Sequence, residues 1–130
     1  MKKYFLTILI ILSKNMIYAH CQVPCGIYDD ALRIIQIKED FNTIRKAIIK
    51  INELAKYSDE ASKNQLTRWI ITKEEHASNI QKIVSEYFLT QRIKETNQEY
   101  IDQTTLLQKL LVTAMKCKQN LKQDNADKGL

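Results

Sequence analysis

The sequence predicts an all-α protein, an up-down bundle of three to four long antiparallel helices behind a short, chemically dense N-terminal segment. Three observations carry this expectation. Two Gly and one Pro in 130 residues are too few for a turn-rich β fold. After residue 30, apolar residues recur at alternating spacings of three and four, the period of an amphipathic helix. At 45% hydrophobic, the chain has the apolar mass for one domain with a single core.

Residues 1–19 read as a secretory signal. Met1-Lys2-Lys3 is a short basic start, Phe5 to Leu12 (FLTILIIL) is an apolar run, and a more polar tail ends at Ile17-Tyr18-Ala19. The apolar run is too short to cross a bilayer as a helix, which takes about 20 residues. The expectation is therefore an exported protein, periplasmic or secreted, with no membrane attachment once the signal is gone. Lys2, Lys3 and Lys14 leave with it, taking the formal charge from +5 to +2. So small a surplus argues against a nucleic-acid partner. A few lysines can still steer a small anion.

Cleavage after Ala19 would start the mature chain at His20. This puts a free α-amine, with a pKa of about 8, on the residue that carries an imidazole and beside the Cys21 thiol. Residues 20–28 (HCQVPCGIY) hold two of the three cysteines, the only proline and one of the two glycines. From spacing alone, Cys21-x3-Cys25 divides between a small disulfide loop, natural for an exported chain, and a metal site. The neighbours favour metal. An amine nitrogen, the adjacent amide nitrogen and two sulfurs form a tetragonal N2S2 set suited to Ni(II) or Cu(II). The His20 imidazole can reach an axial position from the same anchor. Pro24 and Gly26 bend the backbone that returns Cys25 beside Cys21.

This stretch resembles the nickel hook of nickel-containing superoxide dismutases, whose mature N-terminus reads His-Cys-x-x-Pro-Cys-Gly-x-Tyr. His20, Cys21, Pro24, Cys25, Gly26 and Tyr28 meet all six fixed positions. Asn64 to Phe88 (NQLTRWIITKEEHASNIQKIVSEYF) also resembles the family's second helix. The resemblance implies a nickel ion held by the amine and imidazole of His20, the amide and thiolate of Cys21 and the thiolate of Cys25. It further implies superoxide as substrate, alternation between Ni(II) and Ni(III), and Tyr28 over the open metal face, limiting access to small anions. A homo-oligomer, hexameric in the family, is implied too.

Two positions depart from one well-known form of that family. Its third hook residue is Asp where this chain has Gln22. Its axial imidazole is held by a Glu and an Arg, at whose positions stand Gln36 and His76, a neutral pair in place of an ionic one. Beside the dismutase stand two rivals: an exported helical protein with a Cys21–Cys25 disulfide, and a nickel or copper carrier using the same ligands.

The remainder, 29–130, reads as the bundle. Asp29 and Asp30 cap a first helix whose stripe is Ile34, Ile37, Phe41, Ile44, Ile48, Ile51 and Ala55. Tyr57 to Glu60 breaks it, with Ser58 or Asp59 as the next cap. Leu66, Ile70, Ala77, Ile80, Val84 and Tyr87 form the second stripe, interrupted by Lys73, with Trp69 on its flank. Thr90 to Thr96 is a polar corner. From about Asn97 a third stripe runs through Tyr100, Leu107, Leu110, Leu111, Ala114 and Leu121, with Cys117 on the same face as a buried, inert thiol. A fourth helix would come from breaking the last one or from the region near Thr90. Residues 125–130 are polar and expected to fray.

Overall fold

The computed structural model describes residues 29–130, so the expected leader and the segment 20–28 lie outside the described residues. Among the described residues there are helices and turns and no strand. In order they are α1 (Asp30–Leu54), α2 (Glu60–Lys82), a π-helix that prolongs α2 (Ile83–Arg92), α3 (Tyr100–Gln119) and a short α4 (Gln123–Asp127). They pack antiparallel, α1 on α2 and α2 on α3, with α4 closing on α1 and α3. The expected up-down bundle is present, and its fourth helix comes from the tail. None of the described helices is long and apolar enough to cross a membrane.

Aspartates start the two longest helices, as their short acceptor side chains allow. Asp29 accepts from the Ala31 amide at 2.8 Å, and Asp59 accepts from the Ser62 amide at 2.9 Å. Asp59, not Ser58, is thus the second cap. From α1 the core takes Ile37, Phe41, Ile44 and Ile48; Ala77, Ile80, Ile83 and Val84 face them, and Ala114 and Cys117 close the far side. Burying each large aliphatic or aromatic side chain contributes about 1.5–3 kcal/mol. Ile34 and Ile70 fall on the periodic stripes yet are 47% and 41% exposed. Period assigns a face to a residue but not how far the neighbouring helix covers it.

Beyond Lys82 the hydrogen bonding lengthens to i→i+5. The Ile93 amide donates to the Phe88 carbonyl at 3.0 Å. The Thr90 hydroxyl reaches the Ser85 carbonyl at 2.6 Å, and the Gln91 side-chain amide reaches that of Glu86 at 2.8 Å. The helix therefore runs on to Arg92, deep into the stretch expected to turn, and the corner falls between Ile93 and Tyr100.

Lys73 interrupts its stripe for a reason the period does not show. It is buried, and its Nζ donates to the carbonyls of Cys117 (2.8 Å) and Lys118 (2.9 Å) and to Glu74 Oε1 (2.6 Å). The last carbonyls of a helix have no partner within it. An ammonium at that end satisfies them and complements the negative end of the helix dipole.

The tail corrects the expectation of fraying. Asn125 and Ala126 are buried, and Asn120 Oδ1 gathers the Lys122 amide and the Asn125 side chain at 3.1 and 2.6 Å. Gly129 lies so close to the Phe41 ring that a Cβ there would sit 2.3–2.5 Å from three of its carbons. Its missing side chain is what lets the tail lie against a fully buried ring.

Candidate metal centre

Of the sequence-predicted site, His20, Cys21, Cys25 and Tyr28 lie outside the described residues. The structure does describe the ground directly after them. Asp29 caps α1, and Asp30, its first residue, is gripped from the π-helix. Arg92 Nε and Nη2 each lie 2.8 Å from the two Asp30 carboxylate oxygens, a two-pronged ion pair. The Tyr87 hydroxyl donates to Asp30 Oδ1 at 2.5 Å. Arg92 and Tyr87 together hold the Asp30 carboxyl below its usual range. Burial and the neighbouring Asp30 push the Tyr87 phenol up.

One turn further along α1, Arg33 donates to Gln36 Oε1 at 2.7 Å, and its guanidinium lies 5.5 Å from the centre of the Tyr87 ring. His76 belongs to a second cluster. Its Nδ1 lies 2.6 Å from Oδ1 of Asp40, a buried carboxylate, and Asn79 Nδ2 donates to the other oxygen at 2.7 Å. Gln36 and His76 do not hydrogen-bond each other; each has its own partner, Arg33 and Asp40. Sequence reasoning misses Asp40. Its signal is its place on the α1 stripe, between Ile37 and Phe41, where a carboxylate needs a buried partner. Arg92 falls in the expected corner and Asp30 reads only as a cap, so their pairing has no sequence signal.

Among the described residues, no group of three or more His, Cys, Asp or Glu side chains could hold a metal. The one described cysteine, Cys117, is buried and free, and burial pushes its thiol up to about 11. Burial thus disfavours its thiolate, the form that ligates a metal. The chain's other two cysteines, Cys21 and Cys25, lie outside the described residues.

A family model, nickel-containing superoxide dismutase, matches residues 15–130. The chain belongs to that family. It is an oxidoreductase, a superoxide dismutase that uses nickel and acts on superoxide. Comparison with curated proteins and with solved structures gives no match. The match spans the hook pattern and the whole bundle together, so the resemblance seen at residues 20–28 and 64–88 extends through the helical tail.

Proposed function

We propose that the dismutase works from the mature N-terminus of an exported chain. Residues 1–19 are removed, 20–28 form the nickel hook and 29–130 support it. The observation that carries this reading is the complete pattern His20, Cys21, Pro24, Cys25, Gly26 and Tyr28 inside a family match over residues 15–130. The α-amine and imidazole of His20, the amide nitrogen and thiolate of Cys21 and the thiolate of Cys25 bind the metal. Once bound, nickel supplies the one-electron change that each half of dismutation needs. Tyr28 limits approach to small anions. Gln36 and His76 steady the His20 imidazole. In support, Asp40 holds the His76 ring through Nδ1, which leaves Nε2 as the ring nitrogen for a second contact.

The active form is a homo-oligomer, a hexamer as in the family. Ile35, Ile71, Ile101 and Leu106, half exposed or more on three helices, are apolar surface whose burial between copies would be stabilising.

The test uses nickel-loaded protein beginning at His20, compared with a form keeping one extra residue before it. If the α-amine is a ligand, the extended form loses superoxide consumption and most of its nickel. Full activity in the extended form would refute the site. Light scattering of the loaded native form checks the hexamer; a monomer would remove it.

A further inference from the structure

The hook has one covalent attachment to the bundle, through Asp29 and Asp30. Cys25 lies five residues before Asp30 and so stays within about 18 Å of it however the chain is drawn out. Whatever immobilises Asp30 therefore limits where the thiolates sit relative to the helices.

Asp30 is held from a part of the chain more than fifty residues away. Arg92 takes both carboxylate oxygens, and the Tyr87 hydroxyl takes one of them as well. Both guanidiniums also pack on the Tyr87 ring, Arg33 at 5.5 Å and Arg92 at 5.9 Å from its centre, while Phe88 meets it edge-on at 5.1 Å. The π-helix makes this grip geometrically possible. Tyr87 and Arg92 are five residues apart, and in an α-helix such a pair points about 140° apart. With i→i+5 bonding the same two residues come to lie along one side.

We infer that Arg92 and Tyr87 are positioning residues for the metal centre: acting through Asp30, they anchor the root of the hook on the π-helix. The inference rests on the hook reading given above. The Arg92–Asp30 pair is nearly half exposed on both sides, and such a pair adds little to folding. Removing it should therefore leave the bundle intact and act on the metal site instead.

The experiment uses nickel-loaded protein beginning at His20 as wild type, Arg92→Gln, Arg92→Lys, Tyr87→Phe and Arg45→Gln. The last breaks the exposed Arg45–Asp127 pair with the same change of charge and serves as control. Two quantities are read: the rate at which a chelator strips nickel, and the electron paramagnetic resonance line shape of the oxidised metal. Arg92→Gln should speed nickel loss about ten- to hundredfold, the usual effect of removing outer support from a metal site, and broaden the resonance. Arg92→Lys, which keeps the charge but not the two-pronged geometry, should fall between. Tyr87→Phe should show a smaller shift in the same direction, and Arg45→Gln none. Wild-type stripping rates and line shape in both Arg92→Gln and Tyr87→Phe would overturn the inference while leaving the hook reading in place. A wild type that takes up no nickel would overturn both. Should Arg92→Gln fail to fold, Tyr87→Phe, which loses one hydroxyl, decides the matter.

Discussion

Replacing Lys73 by Met tests whether a buried ammonium, rather than apolar packing, closes the end of α3. Met keeps the length and most of the volume of the side chain while removing the charge. Three contacts are lost, those to the carbonyls of Cys117 and Lys118 and to Glu74 Oε1. The Glu74 carboxylate is 43% exposed and turns to water at little cost. The two carbonyls are backbone, so no substitution elsewhere can remove them, and the Cys117 bond is fully buried. Leaving a buried acceptor unpaired costs about 1–3 kcal/mol. Allowing for the partly exposed second carbonyl and the lost charge at the helix end, the expected loss is about 2–4 kcal/mol. For roughly 100 ordered residues this lowers Tm by on the order of 10–20 °C. Guanidinium denaturation at matched nickel content measures it, since bound metal adds its own stability. If Lys73→Met stays within about 0.5 kcal/mol of wild type, below any loss of a buried bond, the capping account is wrong.

Three further outcomes are expected. Gly129→Ala puts a methyl 2.3 Å from the Phe41 ring and should cost about 1–3 kcal/mol of stability; unchanged thermal unfolding would mean that the tail does not lie on the ring. Asp40→Ala strips the shared acceptor from His76 and Asn79 and should cost about 1–3 kcal/mol, read by the denaturation midpoint, with no change counting against the cluster. Cys117, raised from 9.0 to about 11, should resist alkylation in native protein at pH 8 by mass spectrometry. Its folded value lies above its unfolded one, so its contribution to stability is complete below pH 9 and is lost as pH rises through about 11. Cys117→Ala should therefore lose less stability across that interval than wild type, and parallel pH curves would contradict this.

Much of the bundle was legible because its signals are local. Apolar spacing marks a helical face within a few turns, and short acceptor side chains at 29–30 and 58–59 mark the helix starts, where Asp29 and Asp59 bond amides two or three residues away. The family pattern from His20 to Tyr28 was legible for the same reason, since its six fixed positions are neighbours along the chain. The end of the second helical rod was not. Thr90, Gln91 and Arg92 have the polarity of a corner, and only the i→i+5 bonding keeps them helical. Residues 125–130 read as a loose tail because the ring they lie against, Phe41, belongs to the distant α1.

The amino-acid order alone determined the helical class, where the first two helices begin to within a residue or two, the buried state of Cys117 and the pattern from His20 to Tyr28. The tertiary structure decided which charged groups meet: Lys73 with the end of α3, Asp40 with His76, and Asp30 with Arg92. A helical period states that two residues share a face. It carries no information about which distant residue will stand opposite, and for a buried or half-buried charge that partner determines its role.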